Sequence, residues 1–101
     1  MAVHTMFVVI LNYTAPLKEI DRHLEAHNAW LDENFAAGHF VASGRQDPRR
    51  GGLILARAAD RVELGGALAL DPFGRNKVAT HTVIDWRPSR ASTEAQWLLQ
   101  P

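Results

Sequence analysis

The stretch Met6-Phe7-Val8-Val9-Ile10-Leu11-Asn12-Tyr13 decides the architecture. It is β-branched and aromatic, it is followed by the punctuation Thr14-Ala15-Pro16, and it is apolar on both of its alternating faces. Side chains alternate across a strand, so a run without a polar face belongs to a central strand covered on both sides.

Working outward, Thr14 followed by Pro16 makes a good helix start, and the apolar spacing carries one helix to Gly38, which supplies its C-terminal left-handed residue. Phe40 to Ser43 reads as a short strand, Gly44 to Gly52 as a loop and Leu53 to Ala56 as another strand. Asp60 with Glu63 three residues on is a capping box opening a second helix. That helix is weakened by Gly65-Gly66, at about 1–2 kcal/mol relative to alanines, and ends at Asp71 before Pro72. Lys77 to Trp86 alternates, with Val78, Thr80, Thr82, Ile84 and Trp86 on one face and Ala79, His81, Val83 and Asp85 on the other. The order β-α-β-β-α-β predicts an α+β, ferredoxin-like fold: a four-stranded antiparallel sheet with two helices on one face. Two helices leave the other face of the first strand bare, so a second copy of the chain is expected there, as a twofold homodimer. Residues 1–88 read as one domain and 89–101 as a loose tail.

Composition narrows the function classes. Eleven basic and eleven acidic residues in a chain of 101 leave no net charge, which favours neither nucleic acid nor an anionic membrane as partner. There is no cysteine, so disulfides, thiolate nucleophiles and thiolate metal sites are excluded. The longest apolar run, Met6 to Leu11, is too short to span a bilayer, and Met1-Ala2-Val3-His4-Thr5 lacks the basic region of a signal peptide, so a cytoplasmic protein is expected.

One polar residue interrupts the pattern. Leu17, Ile20, Leu24, His27, Leu31 and Phe35 recur at spacings of three and four, which puts the His27 imidazole on the core face of the first helix. A buried ionisable group needs a partner. Asp71, at the abrupt break Leu70-Asp71-Pro72-Phe73, offers a carboxylate, and a His–Asp pair is the smallest unit for general acid/base work near neutral pH. Taken singly, His27 reads as a satisfied core histidine and Asp71 as a helix-ending residue that bonds nearby backbone N–H groups.

The run Asp21-Arg22-His23-Leu24-Glu25-Ala26-His27-Asn28-Ala29-Trp30-Leu31, with Gly38-His39-Phe40-Val41-Ala42-Ser43-Gly44, Gly51-Gly52-Leu53-Ile54 and Asp71-Pro72-Phe73, resembles the YCII-related (YciI-like) family over roughly Met6 to Pro88. The resemblance implies a ferredoxin-like dimer of the dimeric α+β barrel type, its sheets facing each other. It also implies a His–Asp centred pocket, with the family's histidine on His27 and its aspartate on Asp71, in small-molecule enzymes related in fold to muconolactone isomerase. Three departures bear on the pocket's shape and polarity: Arg45 where the family has Pro after Ser-Gly, Gly65-Gly66 in place of helix formers, and the polar stretch Gly74-Arg75-Asn76-Lys77.

The expected mechanism has Asp71 hold one imidazole nitrogen while the other moves a proton on a small oxygenated compound, in an isomerisation or elimination. Ser43, Gly44 and Arg45 are the candidate substrate contacts on the second strand, Arg45 as a bidentate partner for a carboxylate or enolate. Trp30 and Phe73 are candidate apolar walls. Arg45, Arg49 and Arg50 otherwise read as a solvated basic loop. No cofactor is implied, and the pair His23 and His27, at helical spacing, lacks an obvious third metal ligand. His39 and His81 read as structural, the latter facing outward from the last strand. The alternatives are a non-catalytic dimeric ligand-binding or assembly module and a cofactor-free oxygenase of the dimeric α+β barrel type.

Overall fold

The computed structural model describes residues 5–99. The charge-poor start read at residues 1–4, and residues 100–101 of the tail, lie outside them. Four antiparallel strands, β1 (Thr5–Tyr13), β2 (Phe40–Arg45), β3 (Gly51–Ala58) and β4 (Ala79–Trp86), form one sheet in the order β2-β3-β1-β4. This is the expected α+β, ferredoxin-like arrangement, with β1 and β3 in the interior, as the two-faced apolar run of β1 requires of it.

The register sorts the side chains. Phe7 lies between Ala56 and Asp85, Val9 between Ile54 and Val83, and Leu11 between Gly52 and His81. That face turns toward the helices, and Phe7, Val9, Leu11, Ile54, Ala56 and Ala58 are buried in the core beneath them. On the opposite face Val8 lies between Leu55 and Ile84, and Met6 pairs with Trp86. Leu53, Ile84 and Trp86 there are 45%, 46% and 37% exposed, giving a largely apolar open surface.

The expected single helix is two: α1 (Leu17–Arg22) and α2 (Leu24–Ala36), joined at His23 with φ −108° and ψ 6°. The His23 N–H bonds Ile20 three residues back instead of four, which tightens the turn and resets the helical phase. Ile20 is therefore fully buried while Leu17 is 43% exposed. Thr14 does not cap this helix, because its N–H bonds the Val78 carbonyl and its hydroxyl bonds the Lys77 carbonyl. Gly38 ends α2 at φ 82°, the left-handed position expected of it.

Strands β2 and β3 are longer than their apolar letters suggest, and the loop between them shrinks to Gln46–Arg50. The cause is Gly51, which lies so close to β1 that a Cβ there would sit 1.8 Å from the Leu11 carbonyl oxygen. Only a residue without a side chain lets the two strands approach this far. The second helix, α3 (Arg61–Leu68), forms despite Gly65-Gly66, its first turn held by the Asp60 carboxylate accepting from the Glu63 N–H at 2.9 Å. A short helix not legible in the sequence, α4 (Pro72–Arg75), follows with Pro at its first position. Lys77 leaves it at φ 59°, which delays β4 until Ala79. Within the tail, Thr93–Leu99 forms 3₁₀ turns.

Gly51→Ala should destabilise the protein by at least about 2 kcal/mol in urea unfolding, because backbone on both strands would have to move.

Candidate active site

Helix α2, helix α4 and strand β4 converge on one carboxylate. Asp71 is the N-terminal cap of α4, where its backbone is extended and Pro72 fixes the first helical residue. A cap side chain folds back on its own helix, and the Asp71 carboxylate does so by accepting the Phe73 N–H at Oδ1, 3.0 Å away. The same oxygen accepts the His27 Nδ1–H from α2 at 2.7 Å. The other oxygen, Oδ2, accepts the His81 Nε2–H from β4 at 2.8 Å. An ionised carboxylate only accepts, so each facing nitrogen carries its hydrogen. In its neutral form His27 would thus carry its hydrogen on Nδ1 and its lone pair on Nε2, and neutral His81 the reverse.

Burial is severe. Asp71 is 0% exposed and His27 7%. Burial pushes the Asp71 carboxyl up, but the hydrogen bonds from His27 and His81, the positive charge of His27 when it is protonated and the Phe73 N–H outweigh it, and the group is held at about 2 against an ordinary 3.8. The His27 ring is stacked on Phe73, with centroids 3.9 Å apart and planes within 6°, and tilts against Trp30 at 5.4 Å. Two aromatic neighbours and one ionic hydrogen bond thus set the imidazole plane.

His27 lines a pocket of about 290 Å³ between α2 and the sheet. Leu11, Leu24, Leu31, Ile54 and Phe73 supply apolar walls, and the β2 residues Ser43, Gly44 and Arg45 close the side toward the sheet edge. With Nδ1 engaged by Asp71, Nε2 is the nitrogen left for that pocket. The structure therefore brings together His27, Asp71, Phe73, Ser43, Gly44 and Arg45. Trp30 stands apart: it is 4% exposed, its indole N–H donates to the Ala67 carbonyl at 3.0 Å, and it backs the His27 ring from the core instead of lining the pocket. Of the loop arginines, Arg49 is taken by Asp21 at 2.6 Å and lies 6.0 Å over the Tyr13 ring, while Arg45 lines the pocket.

His81 corrects the expectation that it faces outward. The alternation in β4 grouped it with Ala79 and Val83, and that group is the inner one, opposite Leu11 of β1. Its signal was the one that exposed His27, a polar residue among core-facing neighbours. His39 is held by Asn34 at 3.2 Å and Glu63 at 3.6 Å, away from this cluster. Among the described residues no group of three or more His, Asp or Glu side chains is arranged to hold a metal ion, and no helix is long and apolar enough to cross a membrane.

The YCII-related domain family matches residues 6–87. The chain belongs to this family. No curated protein matches it significantly. Among solved structures it is similar to TftG, the 5-chloro-2-hydroxyhydroquinone dehydrochlorinase from Burkholderia phenoliruptrix AC1100, in complex with 2,5-dihydroxybenzoquinone. The TM-score is 0.71 at 18% identity, over 83% of this chain and 95% of that one. At that identity the likeness speaks for the YCII-related, ferredoxin-like fold.

The depressed Asp71 carboxyl sets a pH dependence. A group whose folded value lies below its unfolded one stabilises the fold above the unfolded value and ceases to do so as the pH falls through the folded value. The contribution should be full above about pH 4 and lost toward pH 2, an effect on the order of 2 kcal/mol. Denaturant unfolding between pH 2 and pH 6 should show this slope in the wild type and a shallower one in Asp71→Asn.

Proposed function

We propose that the chain is a small-molecule enzyme in which His27, held by Asp71, transfers a proton on a small oxygenated organic compound in an isomerisation or elimination. The observation that carries this reading is a fully buried carboxylate bonded to the Nδ1 of a histidine that lines an apolar pocket. The carboxylate fixes the tautomer and stabilises the imidazolium formed when Nε2 accepts a proton, and the water-poor walls strengthen that stabilisation. Phe73 and the apolar side chains suit a planar ring. Arg45 lines the pocket and forms no ion pair among the described residues, which suits an oxyanion or carboxylate on the ring. TftG's recorded complex with a hydroxylated quinone and its name as a dehydrochlorinase are of this chemical class. A non-catalytic binding module would need the pocket and Arg45 but would place no demand on Nε2.

His27→Asn separates these readings, because its amide can still donate to Asp71 from the place of Nδ1 while Nε2 is gone. With 5-chloro-2-hydroxyhydroquinone as probe, chloride release should fall by about 10²–10⁴-fold in His27→Asn, while 2,5-dihydroxybenzoquinone still raises the melting temperature. His27→Ala should in addition lose about 1–3 kcal/mol of stability by leaving a cavity and taking one donor from the buried Asp71 carboxylate. Chloride release unchanged per folded molecule in His27→Asn would remove His27 from the chemistry.

The homodimer belongs to the same proposal. Val8, Ile10, Leu53, Leu55, Ile84 and Trp86 are register neighbours on the face without helices, and an apolar surface of this continuity suits a second copy. Light scattering after size exclusion should give twice the mass of the 11.2 kDa chain, and Ile84→Lys should return it to one.

A further inference from the structure

His81 has no part in the reading above, yet it holds half of the carboxylate on which that reading depends. It lies on β4, a different element from either partner of the His27–Asp71 bond, and its Nε2 is 2.8 Å from Asp71 Oδ2. Asp71 Oδ1 already accepts two hydrogens, from His27 and from the Phe73 N–H. Oδ2 has His81 as its partner in a place with no exposed surface. The His81 ring is in turn seated on α4, because Gly74 has no side chain: a Cβ there would come within 3.3 Å of His81 Cε1.

We propose that His81 is a positioning residue for the proton-transfer site: by donating to Oδ2 it keeps Asp71 a carboxylate turned toward His27, and so keeps the free lone pair of His27 on Nε2. The argument is one of satisfaction. Without His81, one oxygen of a buried carboxylate has no donor, and the carboxyl can relieve this by taking up a proton or by rotating. Either change removes a strong acceptor from His27 Nδ1–H. An imidazole in water prefers the tautomer protonated on Nε2, which has no lone pair there for a substrate proton. The role thus reaches substrate only through Asp71 and His27.

The charged and titratable groups around His81 are few. Asp71 and Arg75 stand at the two ends of α4, His27 reaches in from α2, and β1 brings Leu11 opposite and Tyr13 nearby. Farther along β4, Asp85 is paired with Arg61 at 3.2 Å. Asp71 is the member of this set that His81 touches.

The consequence for catalysis rests on the proposed role of His27, but the positioning itself is read without any substrate. Long-range ¹H–¹⁵N spectra of the imidazoles report the tautomer, and ¹³C carboxyl shifts report the titration of Asp71. In the wild type at pH 8, His27 should show Nδ1–H and an unprotonated Nε2. His81→Leu should move His27 to a tautomer mixture and raise the Asp71 midpoint by about one pH unit. His81→Gln, whose amide can donate from the place of Nε2, should restore both. Gly74→Ala changes no titratable group and displaces the His81 ring, so it should move both signals in the direction of His81→Leu by a smaller amount. This second route keeps the test open where His81→Leu folds poorly. Spectra of His27 and Asp71 that stay at their wild-type positions in folded His81→Leu or Gly74→Ala would overturn the proposal, as would failure of folded His81→Gln to restore them. If the tautomer shifts as expected and chloride release does not follow, the positioning stands and the reading of His27 as the base falls.

Discussion

The Asp71 carboxylate is the constraint around which this molecule is arranged. An ionised group without exposed surface costs several kcal/mol to desolvate unless its oxygens are met by donors. Here the donors come from three directions: a side chain of α2, the backbone of α4 and a side chain of β4. Meeting them fixes where α2 lies over the sheet, where the chain leaves α3 and how β4 is registered against β1. A helix cap, ordinarily a local device, here ties tertiary structure together.

Around that point the architecture is that of a ferredoxin-like sheet with its layers unequally covered. The helical side is a sealed core running from Phe7 to Ala58 and out to Trp30 and Phe40. The pocket opens where this core stops, between α2 and the strands near the sheet edge, so the imidazole is rooted in packed material and yet borders accessible space. Trp30 contributes by support. Its ring and that of Phe73 limit the imidazole to one plane, while its N–H joins α2 to the end of α3.

Much of this was legible in the residues. The two-faced run Met6–Tyr13 placed the central strand, and a histidine in a helical stripe together with an aspartate before Pro72 announced a buried pair. What escaped the reading has physical causes. The break at His23 depends on one backbone hydrogen bond shifting from four residues back to three, which no side-chain pattern encodes. The full extents of β2 and β3 rest on glycines that read as loop but are in fact the condition for close strand contact at Leu11. The pattern groups His81 with its true neighbours but not on its true side, since alternation tells which residues share a face but not which face is inside. Helix α4 is too short to show a period, and only its cap and its proline mark it.

Two supports of different character hold the pocket. His27 and Asp71 are embedded among rings and strands that cannot shift without opening the core. Ser43, Gly44 and Arg45, by contrast, lie on β2, an edge strand paired on one side only, and all three are exposed. Exposed positions at a sheet margin tolerate exchange at little cost in stability, whereas the embedded ones do not. The molecule is thereby divided into a part that can diversify and a part that cannot: the lining of the pocket can drift from one descendant to another through the rim, with the buried histidine–carboxylate pair inherited unchanged.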